Sequence, residues 1–175
     1  PIPTNGTHGA LVWDDDSMTD KIKAVSMNGK LSRNGGIVSH GINSQPFELQ
    51  AAQIDIGLDH IDEWQNKRKE IFDYYSQHFA GLPLEIIVAP EHCESNNHKF
   101  AILTDQRNLL LEHLTDNKIQ ALMHYTDNFA KHYGSTKEFP MTDRFCREII
   151  TLPNHPWMTD AEVETVAKVV KDFYK

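Results

Sequence analysis

Residues 46–79, PFELQAAQIDIGLDHIDEWQNKRKEIFDYYSQHF, carry the longest regular pattern in the chain. Pro46 suits the first turn of a helix. Large side chains then recur every three or four residues: Leu58, Ile61, Trp64 or Gln65, Arg68, Phe72, Tyr75 and Phe79. Gly81-Leu82-Pro83 ends the pattern. The spacing predicts one long helix from about Pro46 to Phe79, with this face buried.

Short apolar runs and amphipathic stretches alternate after this helix. Their patterns predict strands at Leu84–Val88, His98–Thr104, Ile119–Tyr125 and Glu148–Leu152. Helices are predicted at Gln106–Asp116, at Met141–Arg147 and behind the Thr159–Glu162 capping box. Because regular crossover helices do not link the strands, the order predicts an α+β fold. In it, the long helix packs on a small, mostly antiparallel sheet with flanking helices.

The chain before Pro46 has a different character. Gly9–Trp13 is predicted as a strand, and Ser17–Met27 as a helix with Asp15 or Ser17 at its start and Asn28-Gly29 at its end. Ser32–Gln45 contains three glycines and no periodicity, which indicates a long loop. We therefore expect an N-terminal strand-helix-loop segment over 1–45 and a small α+β domain over 46–175.

Composition excludes several classes of protein. The 175 residues carry 17 basic and 25 acidic side chains, a net charge of −8, so a phosphate backbone would be repelled and nucleic acid is not an expected partner. No run of about 18 apolar residues exists, so no membrane span is expected. Cys93 and Cys146 form no disulfide framework, and Pro1–Gly6 lacks the features of a signal peptide, which together favour the cytoplasm. The chain also begins without methionine, so residues upstream of Pro1 could be missing.

Several residues could carry chemistry. His92, Cys93 and His98 have the side chains of a metal site but lack the paired close spacing of one, so no metal is expected. His124 and His132 flank a polar loop and are expected at the surface. Cys146 lies in a short amphipathic stretch and is expected to be structural. Trp64, Tyr74 and Tyr75 have the spacing of core residues.

A more specific pattern is Gly41-Ile42-Asn43-Ser44-Gln45-Pro46-Phe47-Glu48-Leu49-Gln50-Ala51-Ala52. It resembles the G-x-N-x-R-x-x-E-L-Q-A-A signature of the DegT/StrS-type sugar aminotransferases. Further matches follow in order along the chain: Gly9–Asp16, His98-Lys99-Phe100, Asn117-Lys118-Ile119, His124-Tyr125 and Ile150–Thr159. The resemblance covers essentially the whole chain. It implies the C-terminal half of a fold type I enzyme that uses pyridoxal phosphate, is usually dimeric and moves an amino group onto a nucleotide-linked keto-sugar.

The resemblance also shows what this chain lacks. It places the Schiff-base lysine near Pro1–Asn5, where Pro3-Thr4-Asn5 resembles the family's P-T-K with asparagine in place of lysine. The arginine of the signature is Gln45, and the family's P-x-H stretch is Asp127–Ala130. No catalytic residue is therefore expected. Asn43 remains as a candidate cofactor-binding residue, which in the family donates to the phosphate of the partner subunit's cofactor, although a polar residue before a helix could equally be a cap.

Three hypotheses follow. The chain is a stand-alone, non-catalytic C-terminal half that acts as a binding or assembly module, without a cofactor of its own. Alternatively, it is a fragment or a split aminotransferase completed by a companion chain that carries the cofactor domain. As a third possibility, it is a repurposed small-molecule binder. An unpaired strand at Gly9–Trp13 would expose its edge, so we expect a homodimer or closed homo-oligomer with residues 1–45 at the interface.

Overall fold

The computed structural model describes Ile2, Thr4, Gly6 and residues 9–175. These residues form seven α-helices, three β-strands and a short 3-10 turn, and the chain divides into two compact units, unit 1 over 1–61 and unit 2 over 62–175. The predicted α+β class is confirmed. The predicted division at residue 45 concerns the family's domain plan and stays a prediction.

The sheet of unit 2 has three antiparallel strands in the order β1-β2-β3: β1 (Glu85–Ile86), β2 (Phe100–Leu103) and β3 (Ile149–Leu152). In the central pair, Phe100 lies opposite Leu152 and Leu103 opposite Ile149. All four residues of β3 are buried. Three of these residues are apolar and the fourth is Thr151, and burial of all four is typical of a strand covered on both faces.

Four helices belong wholly to unit 2: α4 (Arg107–Asp116), α5 (Phe129–His132), α6 (Pro140–Glu148) and α7 (Asp160–Phe173). A fifth, α3 (Ile61–His78), begins at the boundary. Thr159 and Glu162 form the predicted capping box at the start of α7. The core joins α3, α4 and α7 to the sheet, and its largest fully buried side chains are Tyr75, Phe79, Phe100, Ile71, Ile102, Leu103, Leu110, Leu114, Ile150, Leu152 and Val170.

The prediction of one continuous helix from Pro46 to Phe79 is wrong. Two helices occupy this stretch, α2 (Glu48–Asp59) and α3, with His60 between them. The amide of His60 donates to the carbonyl of Gly57 at 3.3 Å, a tighter turn than that of an α-helix, and Gly57 itself has low helix propensity. The predicted buried face holds in α3, where Tyr75 is buried, but Leu58 in α2 is 53% exposed.

Two predicted strands are not formed. Ile119–Tyr125 contributes a bridge between Leu122 and Thr151 instead of a strand. The amide of Ile119 closes α4 by donating to Leu114 at 2.9 Å, so this segment begins as a helix terminus. Gly9–Trp13 has no strand conformation either. A strand requires a neighbouring ladder, and the described residues of unit 1 provide none for this segment.

Unit 1 holds α1 (Thr19–Ser26), α2 and a long connection between them. Asp15 accepts a hydrogen bond from the amide of Ser17 at 2.9 Å and starts the 3-10 turn before α1. Asn28 and Gly29 end α1 with positive φ, as predicted. Met18, just before α1, and Val25 within it are exposed, and Ala24 is the residue of this helix that is buried.

The described residues contain no helix that is long and apolar enough to cross a bilayer.

Candidate functional site

The segment that carries Asn43 is fastened to the end of α1 by backbone hydrogen bonds. The amide of Ile42 donates to Val25 at 2.8 Å, that of Asn28 to Ile42 at 3.0 Å, and that of Ser44 to Ser26 at 3.1 Å. Gly41 allows this close approach, because a Cβ there would clash with the backbone of α1 and of Gly29. The loop predicted for Ser32–Gln45 is thus ordered at its C-terminal end by main-chain contacts.

Asn43 itself pairs with Met27 in an antiparallel bridge and leaves its side chain exposed. It does not cap α2, since the residue at the start of that helix is Phe47. The amide of Phe47 donates to the side chain of Gln50 at 2.9 Å. The interpretation of Asn43 as a helix cap is therefore wrong, and its role toward a phosphate stays a prediction. Gln45, at the family's arginine position, is also exposed.

The described residues of unit 1 do not by themselves fit pyridoxal phosphate. The cofactor requires an amine for its Schiff base and an acid at its pyridine nitrogen. Lys21 and Lys23 are exposed on α1, and Lys30 lies in a bridge with Ile37. Asn5, at the position that the resemblance assigns to the lysine, lies outside the described residues. We therefore derive no chemical step through this cofactor.

A second group of polar residues lies in unit 2, and we call it the basic cluster: Arg68, His98, Lys99 and His124. Asn154, which follows β3, connects two of its segments. Its Nδ2 donates to the carbonyl of Arg68 at 3.3 Å and to that of Asn97 at 2.9 Å. The buried amide thus holds α3 against the turn that carries His98 and Lys99.

The other side of the basic cluster is held by β3 and by the bridge segment. His124 Nδ1 lies 3.1 Å from the hydroxyl of Thr151, and Lys99 Nζ lies 5.3 Å from the centre of the Tyr125 ring. Partial desolvation lowers the pKa of His98, and the positive charges of Lys99, Arg68 and His124 lower it further. Desolvation and Lys99 likewise lower the pKa of His124. Arg68 and Lys99 thus lie near two imidazoles whose protonated forms are disfavoured.

From the sequence, Arg68 is predicted only as one residue of a helix face, and no functional signal marks Lys99. The available signal was the position of Arg68, a charged residue within an otherwise apolar face. Such a residue, once buried, requires a partner. The prediction that His124 lies at the surface is correct only in part, because it is half-buried.

The other candidate residues from the sequence differ in their burial and contacts. Tyr75 is buried, and its ring stacks on Phe79 with centroids 5.6 Å apart. Trp64 is half-buried and lies 5.7 Å from Trp157, ring centre to ring centre. Cys93 is exposed and Cys146 half-buried, and both are free. Over the part of the chain that the structure describes, no group of three or more metal-binding side chains comes together.

Comparison with known proteins agrees with this fold. The sequence pattern of the DegT/DnrJ/EryC1/StrS aminotransferase family matches residues 1–171. The chain is 26% identical over 169 residues to a dTDP-3-amino-3,6-dideoxy-alpha-D-galactopyranose transaminase of Aneurinibacillus thermoaerophilus, covering 94% of this chain and 46% of that protein. It is 26% identical over 178 residues to a dTDP-3-amino-3,4,6-trideoxy-alpha-D-glucose transaminase of Streptomyces venezuelae, covering 96% and 46%.

Solved structures of similar fold agree with this comparison. The chain superimposes on S. venezuelae DesV in complex with a ketimine intermediate with a TM-score of 0.86 at 24% identity, covering 92% of this chain and 45% of that one. A DegT DnrJ EryC1 StrS aminotransferase from Brucella abortus gives 0.83 at 22% identity, covering 91% and 44%. The chain spans about half the length of the relatives it matches. It belongs to the DegT/DnrJ/EryC1/StrS aminotransferase family.

Proposed function

We propose that these 175 residues act as a binding or assembly module of the sugar aminotransferase type and do not transaminate through a lysine of their own. The observation that carries the proposal is the residue at the Schiff-base position. Asn5 stands where the resemblance places the lysine, and the first lysine of the chain is Lys21. A carboxamide is not a nucleophilic amine, so it cannot form the covalent link.

Cofactor labelling tests this proposal. The chain is incubated with one equivalent of pyridoxal phosphate, reduced with borohydride, digested and analysed by peptide mass spectrometry. We expect low labelling spread over the exposed lysines, and the same spread for a urea-unfolded control. Nearly complete labelling of a single lysine in the folded chain, absent from the unfolded control, would contradict the proposal.

The assembly part of the proposal is supported by the apolar surface of unit 1. Val12 is 90% exposed, Phe47 78% and Ile37 75%, and Val38 and Ile42 are exposed as well. Apolar groups at this density favour association. We propose a homodimer or closed homo-oligomer with residues 1–45 at its interface. The unpaired strand no longer supports this, because Gly9–Trp13 is not a strand. We also propose a cytoplasmic location, which the two free cysteines support.

The second candidate is a split aminotransferase whose cofactor domain is a companion chain. Its support is that the chain matches about 46% of its relatives' length. Sedimentation equilibrium at micromolar concentration separates the two candidates. A dimer of the purified chain favours the assembly module. A monomer that forms a 1:1 complex with the amino-terminal half of the S. venezuelae relative favours the split enzyme.

A further inference from the structure

Two adjoining cavities lie between α3 and α7 of unit 2, and Lys67 and Glu70 line both of them. The larger has a volume of about 540 Å³ and is also lined by Trp64. The smaller has a volume of about 260 Å³ and is also lined by the buried side chains of Ile71 and Val163. We call the two cavities together the α3–α7 groove. They are large enough to receive several side chains of a partner.

The groove has an excess of carboxylates. Its charged lining residues, as far as the structure describes the chain, are Glu63, Glu70, Asp160 and Glu164 against Lys67. Lys67 Nζ lies 2.8 Å from Asp160 and 3.6 Å from Glu70, so its charge is already engaged. The lining groups therefore keep a net negative charge, which attracts a partner of positive charge.

Two tryptophans at the groove add a preference for cations. Trp64 is half-buried, and its ring centre lies 5.7 Å from that of Trp157, which is 59% exposed. The face of a tryptophan ring attracts a guanidinium or an ammonium group. Aromatic and arginine side chains are also enriched at the centres of protein interfaces. The groove therefore fits a partner segment that carries both basic and apolar side chains.

A loop of unit 1 has the shape of a short hairpin. Residues 30–38, which we call the 30–38 loop, are closed by an antiparallel bridge between Lys30 and Ile37. At its tip, the amide of Gly35 donates to the carbonyl of Ser32 at 3.1 Å. These main-chain contacts hold the loop in one conformation, which lowers the entropy cost of binding.

The side chains of this loop have the chemistry that the groove requires. Ile37 is 75% exposed and Val38 62%. Arg33 is exposed and Lys30 half-buried, and no ion pair within the described residues involves either of them. Residues 21–47 contain four basic side chains and no carboxylate, although the whole chain has a net charge of −8. The loop is therefore basic and apolar in an otherwise acidic protein.

We propose that the 30–38 loop of one chain docks in the α3–α7 groove of a second copy, and that the second copy returns the contact. Lys30 and Arg33 meet the carboxylates of the groove, while Ile37 and Val38 are withdrawn from water. A second copy is the occupant because the chain itself carries both complementary surfaces, and a two-fold axis forms the contact twice. The proposal rests on the assembly proposed above and names the surfaces that make it.

The charge of the helix surface limits where the loop can bind. Farther along α7, Lys168 and Lys171 line the neighbouring depression. A basic loop is repelled there, because like charges across an interface oppose binding. The contact is therefore confined to the first half of α7.

Reversal of charge tests the contact by sedimentation equilibrium of the full chain. Lys30→Glu with Arg33→Glu makes the loop acidic, and Glu70→Lys with Glu164→Lys makes the groove basic. Each double variant alone should dimerise about tenfold or more weakly than the unaltered chain, because like charges then meet. An equimolar mixture of the two should regain the affinity of the unaltered chain to within about threefold, since both contacts of a mixed dimer again join opposite charges.

Two matched double variants make the same charge reversals elsewhere on the surface. Lys21→Glu with Lys23→Glu alters unit 1 outside the loop, and Glu91→Lys with Glu94→Lys alters unit 2 outside the groove; all four side chains are exposed. Both should dimerise like the unaltered chain. Circular dichroism verifies the fold of every variant, and recovery in the mixture excludes misfolding as the cause of a loss.

The possible outcomes separate this proposal from the assembly on which it rests. If the unaltered chain dimerises and the loop and groove variants dimerise equally well, or if their mixture regains nothing, the docking is wrong while the assembly stands. If the unaltered chain is a monomer at every concentration, both proposals fail. Equal losses in the matched variants would also overturn the docking, since association would then depend on net charge alone.

Discussion

Unit 2 and unit 1 differ in how they use their apolar side chains. In unit 2, one core joins α3, α4 and α7 to the sheet, and Phe100, Ile102 and Ile150 are completely buried within it. In unit 1, Val12, Phe47 and Ile56 are mostly exposed. Its order comes instead from main-chain hydrogen bonds, such as those that join residues 41–44 to the end of α1.

This difference indicates which unit has a core that can stabilise its fold. Burial of apolar surface supplies most of the free energy of folding, so unit 2 has the core that a domain requires. Hydrogen bonds add about 1 kcal/mol each and do not replace a core. The described residues of unit 1 lack such a core, and their exposed apolar surface is the one that the proposed association would cover.

The largest expected effect is the loss of a core aromatic ring in unit 2. Phe100 contacts the rings of Phe72, Tyr75 and Phe79 at centroid distances of 5.0, 5.0 and 5.8 Å. Phe100→Ala should lower the free energy of unfolding by about 3–5 kcal/mol, the usual cost of a large cavity. Urea denaturation followed by circular dichroism measures the change.

Phe47→Ala is the matched substitution in unit 1, where the side chain is 78% exposed. At a concentration that keeps the chain monomeric, it should change the free energy of unfolding by less than about 0.5 kcal/mol. Comparable losses in the two variants would show that unit 1 has a core of its own.

The sequence was sufficient for the parts of unit 2 that depend on local pattern. The capping box at Thr159 identifies the start of α7, and Val163, Val166 and Val170 lie on its buried face. Both signals can be predicted because they lie within one element. Strand pairing was harder to predict: β3 lies beside β2, whereas Ile119–Tyr125, placed in the sheet by its apolar pattern, forms a bridge. Periodicity identifies an apolar segment without its neighbour.

The candidate sites show the same limit. The signature around Asn43 is readable in the sequence, but its fastening to α1 depends on backbone contacts that residue types do not encode. The basic cluster brings together residues from α3, from the turn before β2 and from the segment after Ile119. Their convergence follows from packing, so sequence spacing alone could not predict it.

A smaller effect is expected at Gly41 in unit 1. A methyl group there would meet the carbonyls of Ala24 and Val25 at 2.6 and 2.8 Å, distances that real Cβ atoms do not adopt. Gly41→Ala should destabilise the connection between α1 and residues 41–44 by about 1–3 kcal/mol. Hydrogen exchange at the amides of Ile42 and Ser44 should accelerate at least tenfold.

Gly36→Ala is the control, because a Cβ at Gly36 meets nothing within 4 Å. It should leave exchange at both amides unchanged. If Gly41→Ala also leaves the exchange rates unchanged, the hydrogen bonds between residues 41–44 and the end of α1 are not what orders unit 1.

Alkaline pH should weaken unit 2 through Tyr75. Burial raises the pKa of its phenol far above the ordinary 10.0, so the folded state keeps the proton while the unfolded state loses it. This contribution is complete below about pH 10 and is lost as the pH rises toward the folded pKa. The free energy of unfolding should fall by about 1.4 kcal/mol per pH unit above pH 10 on account of this group.

Tyr75→Phe removes the titrating group and provides the comparison. Its free energy of unfolding should be lower near neutral pH, since the hydroxyl donates to the carbonyl of Pro153 at 3.2 Å. Its free energy of unfolding should fall less steeply between pH 10 and 11, by a difference that approaches one proton, or about 1.4 kcal/mol per pH unit. Identical slopes in the two proteins would contradict the burial of Tyr75.

A smaller loss of stability than that at Gly41 or Phe100 is expected at the start of α7. The hydroxyl of Thr159 accepts from the amide of Glu162 at 3.3 Å, and Glu162 accepts from the amide of Thr159 at 2.8 Å. Thr159→Ala should cost about 1 kcal/mol in urea denaturation. Thr165→Ala is the control, since Thr165 lies within α7 and bonds to the carbonyl of Ala161; a loss as large as that of Thr159→Ala would show that capping is not responsible.

Hydrogen exchange at several protein concentrations tests the contrast between the two units most directly. The account predicts that the core amides of unit 2 are protected at every concentration. Amides of residues 9–45 should exchange rapidly in dilute monomer and gain at least tenfold protection at concentrations where sedimentation shows a dimer. Equal and strong protection of residues 9–45 in the monomer, or no gain in the dimer, would contradict it.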